Sequence, residues 1–160
     1  IHERDMDTLE DMVVKSCTYK KLVVEKDPTE KGERAILNFG HTIGHAIEKA
    51  KNFELLHGEC VALGCVAAAF ISWKRELLSM EEYYEIRDMF VPFNLPITID
   101  DIDPNEILRL IASDKKVEGD KIKFILLKKV GKAIIDTSVT KDEIMSGIQE
   151  IYFSEEDEHE

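Results

Sequence analysis

Positive charge is what this sequence most lacks. Its 160 residues carry 21 Lys and Arg against 33 Asp and Glu, which gives a formal net charge of −12 at pH 7. Surfaces that bind nucleic acid need a basic patch, and anionic membranes attract basic segments. The charge balance therefore argues against nucleic acid and against a membrane as partners.

Long apolar runs and cysteines are also scarce. The nearest approach to a membrane span is CVALGCVAAAFI at 60–71, which is shorter than the roughly 20 residues that a spanning helix needs. We find no secretory signal. The three cysteines, Cys17, Cys60 and Cys65, are odd in number and scattered, which favours reduced core thiols over a disulfide framework. These features predict a cytoplasmic protein.

The apolar fraction of 44% is sufficient for one folded domain with a buried core. Apolar periodicity and capping patterns predict a mainly α, multi-helix domain with one small β-hairpin over residues 1–153. The closing SEEDEHE predicts a disordered acidic tail at 154–160. The first residues include no initiator Met and enter a helical pattern almost at once, which suggests a piece of a longer chain.

The predicted elements are bounded by turn and capping residues. The first helix ends before Pro28, and capping boxes at Ser79–Glu82 and Thr140–Glu143 open the fourth and last helices. Asp103 is the expected cap of the fifth helix. Helices are predicted at about 6–26, 33–51, 58–78, 80–92, from 104 and at 141–153, and strands at 121–128 and 133–136.

Three of the five histidines lie in one stretch, RAILNFGHTIGHAIEKAKNFELLHGE, at 34–59. The spacing of its polar residues, i, i+4, i+7 and i+11, predicts a single face of the second helix. The residues on that predicted face are Arg34, Asn38, His41 and His45. His57 is expected at the start of the third helix, from which it would point back at this face.

Gly40 and Gly44 interrupt the same predicted helix. A glycine inside a helix costs about 1 kcal/mol relative to alanine. Two of them indicate that something, a ligand or another backbone, must come close to this segment.

The chemistry of the histidine-rich stretch admits several interpretations. Two histidines at i, i+4 can chelate one metal ion from a helix face. The peptidase version of that pattern needs Glu after the first histidine, and Thr42 stands there instead. Arginine, asparagine and histidine together can hold a phosphate or a carboxylate, and a metal role and an anion role can coexist. Histidine pairs are also common as solvated or packed residues, so the interpretation depends on all of these residues coinciding.

The motifs GHTIGHAIE and LHGE, separated by a short connector, resemble those of the 3-dehydroquinate synthases within the sugar-phosphate cyclases. The segment DKKVEGDKIKFILLKKVGKA resembles a later part of the same family. The resemblance covers nearly the whole sequence, but only the C-terminal, mainly helical half of a two-domain α/β plus α enzyme. The glycine-rich fingerprint of a dinucleotide-binding domain does not occur in this sequence, so the N-terminal NAD-binding domain is expected to be missing.

The resemblance implies roles for individual residues. His41 and His57 match zinc ligands, and the third protein ligand of the family is a glutamate upstream of this sequence. His45 and Asn38 match contacts to the substrate phosphate, and Arg34 matches a contact to the substrate carboxylate.

Further positions follow from the same resemblance. Lys20 matches a substrate-binding lysine, and Glu30 matches an acidic residue near the metal and the substrate hydroxyls. A further anion-binding lysine is expected at Lys115 or Lys116. On this basis His45, Lys20 and Glu30 are expected to take part in catalysis.

The implied activity is an NAD- and zinc-dependent lyase of the shikimate pathway. It converts 3-deoxy-D-arabino-heptulosonate 7-phosphate to 3-dehydroquinate and phosphate, in a homodimer of the full-length enzyme. Residues 1–160 alone are expected to be inactive and to bind zinc poorly. The alternatives are another sugar-phosphate cyclase, which would make an inosose or a valiolone, and a stand-alone helical metal-binding module.

Overall fold

A computed structural model describes residues 5–29, 32–115 and 122–152, without the side chains of residues 114 and 115. The chain divides into two compact units, Ile1–Leu37 and Asn38–Glu160, which we describe separately. The acidic tail predicted at 154–160 lies outside the described residues.

In its described residues, the first unit contains one long helix, the turn that follows it and most of the 3-10 helix Glu33–Asn38. Helix α1, Met6–Lys26, begins where the Asp5 carboxylate accepts a hydrogen bond from the Thr8 N–H. It ends before Pro28, as the restricted backbone of a residue preceding proline predicts. The Asp27 carboxylate then accepts from the backbone N–H of Arg34 at 3.1 Å, which orders the turn after the helix.

The second unit is mainly helical with one antiparallel hairpin, which confirms the predicted fold class. Its hairpin pairs Phe124 with Asp136 and Ile125 with Ile135. None of the helices in the described ranges is long and apolar enough to cross a membrane. The elements are α2 His41–Ala50, α3 His57–Lys74, α4 Met80–Asp88, α5 Pro104–Lys115, β1 Phe124–Lys129, β2 Lys132–Asp136 and α6 Lys141–Ile151.

Helix α3 is the centre of this unit. Its buried residues are Cys60 and all of 62–72, and α2, α4, α6 and β1 pack around it. Most of these side chains are small, so neighbouring helices approach its backbone closely. The Ser72 hydroxyl ties the hairpin to this helix, because it accepts a hydrogen bond from the Leu127 N–H at 3.0 Å.

The prediction of one continuous helix over 33–51 is wrong. Residues Glu33–Asn38 form a 3-10 helix, and α2 starts only at His41. Gly40 has a φ of +79°, which breaks the helical path between the two pieces. Arg34, Asn38, His41 and His45 therefore do not share one helix face.

The other boundaries follow the predictions more closely. The capping boxes at Ser79 and Thr140 open α4 and α6 as expected, and Asp103 accepts from the backbone N–H of Asn105 at the start of α5. Helix α3 ends at Lys74 rather than 78, because Glu76 takes a φ of +60°. Helix α4 ends at Asp88, and a short 3-10 turn follows at Val91–Phe93.

Candidate metal and anion site

Three imidazoles meet where α2 faces the start of α3. The ring centroids of His41 and His45 are 5.2 Å apart, and those of His41 and His57 are 5.5 Å apart. One nitrogen from each of the three rings lies within 4.8 Å of the others. Three imidazole nitrogens that converge in this way make a donor set suited to a divalent transition metal such as zinc.

Glycines bring the two helices close enough for this cluster. A Cβ atom on Gly44 would lie 2.9 Å from the carbonyl oxygen of Cys60, and one on Gly40 would lie 2.5 Å from the Cys65 sulfur. The close approach of the α3 backbone, rather than a ligand, thus explains why glycine is found at both positions. Because Cys60 is one turn beyond His57, this contact sets the first turn of α3 beside α2.

Hydrogen bonds hold two of the three rings through the same nitrogen. Nδ1 of His41 lies 3.1 Å from the carbonyl oxygen of Phe39, and Nδ1 of His57 lies 3.3 Å from Oε1 of Glu48. A neutral imidazole that donates from Nδ1 keeps its lone pair on Nε2. Both rings are therefore set to offer Nε2 to a metal ion.

His45 has a different environment. Although His45 is an exposed residue, partial desolvation of its imidazole lowers the pKa of the ring, and the neighbouring charge of His41 lowers this pKa further, against the opposing effect of Glu48. The neutral ring is thus favoured near neutral pH. Within the part of the chain that the structure describes, no hydrogen-bond acceptor is recorded on the ring nitrogens of His45. A neutral imidazole of this kind can act as a ligand or donate a proton to an anion.

The structure does not test the roles of the other predicted site residues. Lys20 and Arg34 belong to the first unit, where the Arg34 guanidinium donates to the carbonyl of Pro28. Asn38 is an exposed residue at the end of the 3-10 helix, two residues before Gly40. Their roles stay predictions.

Two further predictions cannot be located. Glu30 and Lys116 lie outside the described residues. Lys115 is the last residue of α5, and its side chain is not among those described.

Glu48 is a residue of the site that the sequence analysis missed. It stands at i+7 from His41 and at i+3 from His45, so α2 carries all three on one face. It is also the last residue of the GHTIGHAIE motif. Its spacing from the two histidines could have identified it from the sequence.

Comparison with known proteins identifies the family. The family described as 3-dehydroquinate synthase C-terminal matches residues 1–117. The chain belongs to this family. A 3-dehydroquinate synthase of Nitrosospira multiformis is 42% identical over 137 residues, and one of Dehalococcoides mccartyi is 37% identical over 151 residues.

This 3-dehydroquinate synthase C-terminal chain spans about two-fifths of the length of those relatives. The alignments cover 85% and 94% of the chain, but only 37% and 42% of the two relatives. The chain's predicted membership of the family is thereby confirmed.

Solved structures of sugar-phosphate cyclases share the fold. A 2-deoxy-scyllo-inosose synthase complexed with carbaglucose-6-phosphate, NAD+ and Co2+ matches with a TM-score of 0.71 at 29% identity, over 83% of this chain and 39% of that one. A 2-epi-5-epi-valiolone synthase from Streptomyces hygroscopicus, solved with NAD+ and Zn2+ bound, matches with a TM-score of 0.72. That match covers 81% of this chain and 36% of the other at 24% identity, which shows the fold alone.

Proposed function

We propose that this chain is the metal- and substrate-binding domain of a 3-dehydroquinate synthase and acts within a longer cytoplasmic protein. The proposed reaction converts 3-deoxy-D-arabino-heptulosonate 7-phosphate to 3-dehydroquinate and phosphate. The observation that carries this proposal is the convergence of His41, His45 and His57 in a chain of this family.

The proposed metal ligands are His41 and His57. The support is that each has its Nδ1 beside an acceptor, which leaves Nε2 for the metal. A third protein ligand, a glutamate, is proposed to come from sequence beyond residues 1–160. When bound, zinc supplies a Lewis acid that polarises a substrate oxygen.

We assign the binding of the substrate phosphate and carboxylate to the remaining polar side chains. His45, in its neutral form, and the amide of Asn38 donate hydrogen bonds to the phosphate. Arg34 holds the carboxylate through two parallel N–H donors. Lys20, together with Lys115 or Lys116, adds positive charge, and Glu30 accepts from substrate hydroxyls.

The redox part of the reaction is proposed to lie outside this chain. When bound, NAD supplies a hydride acceptor that later returns the hydride. The relatives are more than twice as long as the matched region, which leaves room for a separate NAD-binding domain. We propose that the longer protein forms a homodimer, and that residues 1–160 alone do not turn over.

A second candidate is another cyclase of the same chemistry. The similarity to 2-deoxy-scyllo-inosose synthase favours it. The higher identity to curated 3-dehydroquinate synthases, up to 42%, favours the first proposal. The relatives named above are synthases and do not support the stand-alone metal-binding module.

A zinc titration by calorimetry tests the proposed ligands. The 160-residue chain is expected to bind weakly, since a catalytic zinc site normally has three protein ligands. The double variant His41→Ala, His57→Ala is expected to lose this binding. Equal binding by the double variant would remove both residues as ligands. Tight stoichiometric binding by the unaltered chain would favour the stand-alone module.

An assay of phosphate release tests the reaction. The longer protein is expected to release phosphate from the seven-carbon substrate with NAD and zinc present, and residues 1–160 alone are not. Release from glucose 6-phosphate but not from the seven-carbon substrate would support the inosose-forming cyclase instead.

A further inference from the structure

We propose that Glu48 is a positioning residue that fixes the tautomer and the orientation of His57, so that Nε2 of this imidazole faces the metal position. This inference rests on the proposed metal-binding function and extends it to a residue outside the ligand set.

The geometry supports a contact between ring and carboxylate. Oε1 of Glu48 lies 3.3 Å from Nδ1 of His57. The Glu48 side chain is only 18% exposed, whereas the His57 side chain is 55% exposed. An imidazole as exposed as His57 can rotate about its side-chain bonds, so a better-buried partner is needed to select one orientation.

The position of Glu48 is that of a supporting residue rather than of a ligand. The nitrogens that lie within 4.8 Å of one another come from the three histidines, and the Glu48 oxygens do not belong to that group. Metal-binding histidines commonly donate their second N–H to a carboxylate or a carbonyl, which sets the tautomer and raises the basicity of the ligating nitrogen. Glu48 makes this contact with His57.

His41 provides an internal comparison. Its Nδ1 faces the carbonyl oxygen of Phe39, a main-chain group that belongs to the turn before α2. The two proposed ligands thus have equivalent support, one from the main chain and one from a side chain. His45, which is assigned to the phosphate, has no recorded acceptor on its ring among the described residues. The difference between the rings follows the difference between their proposed roles.

Substitution of Glu48 can test the inference because the partner is a side chain. Glu48→Ala removes the acceptor, and Glu48→Gln keeps a neutral acceptor oxygen but removes the charge. Glu54→Gln is the matched control, since Glu54 is an exposed residue of the α2–α3 connection and its loss changes the net charge equally. The 160-residue chain is used throughout, with circular dichroism to compare folding.

The first readout is the tautomer of His57 without metal, measured by long-range 1H–15N correlation at pH 8. In the unaltered chain and in Glu54→Gln, His57 is expected to carry its proton on Nδ1. In Glu48→Ala the proton should move to Nε2, the preferred site in a free imidazole, and in Glu48→Gln it should stay mainly on Nδ1. An Nε2 proton in the unaltered chain would overturn the inference without any variant.

The second readout is zinc affinity by calorimetry. Glu48→Ala is expected to weaken binding by about 10- to 100-fold, the usual effect of losing such a partner, with a smaller loss in Glu48→Gln and none in Glu54→Gln. Unchanged affinity in Glu48→Ala would overturn the inference while leaving the ligands in place. Zinc binding that survives the loss of His41 and His57 would instead overturn the proposed function, and the tautomer would still decide the role of Glu48.

Discussion

Gly64 of α3 lies directly against the carbonyl oxygen of Gly40, so that a Cβ atom on Gly64 would overlap this oxygen. The two backbones meet with no side chain between them. Gly40, with its φ of +79°, is also the residue after which α2 begins. The contact therefore fixes the start of α2, and with it the position of His41 beside α3.

Substitution of Gly64 by alanine is expected to destabilise the protein by about 1–3 kcal/mol, the usual cost of an added methyl group in a full core. Helix propensity alone would favour alanine by about 1 kcal/mol, so a net loss would identify the backbone contact as its cause. Urea unfolding followed by circular dichroism measures the difference.

Gly58→Ala is the control for that experiment. Gly58 lies in the same helix, and no atom stands within 4 Å of the position its Cβ would take. We expect unchanged or slightly raised stability there. Equal losses at Gly58 and Gly64 would contradict the argument from close contact.

The features that the sequence predicted best are those that depend on residues close together in the sequence. The capping boxes at Ser79 and Thr140 satisfy the first N–H groups of a helix with side chains three residues apart, and both helices begin where expected. The predicted helix over 33–51 failed because a positive φ at Gly40 is imposed by the backbone of α3. Periodicity along one segment carries no information about such a tertiary contact.

The site shows the same division. The i, i+4 spacing of His41 and His45 predicted that two imidazoles lie side by side, and the expected start of the third helix placed His57 so that it points back at them. Glu48 escaped notice because a glutamate on a helix face is usually solvent-exposed, and its contact with His57 depends on the packing of α3 against α2. The expectation that one continuous helix carries Arg34 and the histidines was wrong, because the 3-10 helix Glu33–Asn38 and α2 are separate pieces.

Glu143 should make stability depend on pH in the acid range. Its hydrogen bonds with Arg75, at 2.6 Å for the closer pair, lower the pKa of this carboxyl from 4.5 to about 2. A carboxylate with a lowered pKa in the folded state stabilises the protein above pH 4.5 and loses that effect as the pH falls towards 2. We expect Glu143→Gln to cost about 1–2 kcal/mol at pH 7, and less and less as the pH is lowered from 5 to 2.

Urea midpoints measured from pH 7 to pH 2 test this dependence. Asp142→Asn is the control, since it removes an exposed carboxylate from the same turn of α6. The curves of the unaltered protein and Glu143→Gln should converge in acid. A constant separation down to pH 2 would mean that the ionised carboxylate is not the stabilising group.

Tyr83 should affect the alkaline limit. Its side chain is fully buried, and its hydroxyl donates to Glu150 at 2.7 Å. Burial, and then this hydrogen bond to a carboxylate, raise the pKa of the phenol above its usual value of 10.0. The stabilising effect is therefore complete below pH 10 and declines as the pH rises beyond it.

Tyr83→Phe is expected to lower the free energy of unfolding by about 1 kcal/mol at pH 7 through the lost hydrogen bond. It should also flatten the decline of stability above pH 10. Tyr84→Phe, at a neighbouring and more exposed ring, serves as the comparison in urea unfolding at pH 7 to 11. Identical alkaline slopes in Tyr83→Phe and the unaltered protein would rule out the buried phenol as their source.

The last prediction concerns the roles proposed for the three histidines, metal ligand for two of them and phosphate contact for the third. All three rings lie close enough to share one metal ion, so distance alone does not divide them. The hydrogen-bond acceptors beside Nδ1 do distinguish them, because His41 and His57 each have one.

We expect His41→Ala and His57→Ala each to weaken zinc binding by more than about 10-fold, and His45→Ala by less than about 10-fold. Only the first two variants lose a ring whose orientation is fixed by an acceptor on Nδ1. Calorimetric titration of the three single variants at one pH measures the order. If His45→Ala loses as much affinity as the other two, the ring assigned to the phosphate is a metal ligand in this chain, and the contact to the phosphate must come from another group.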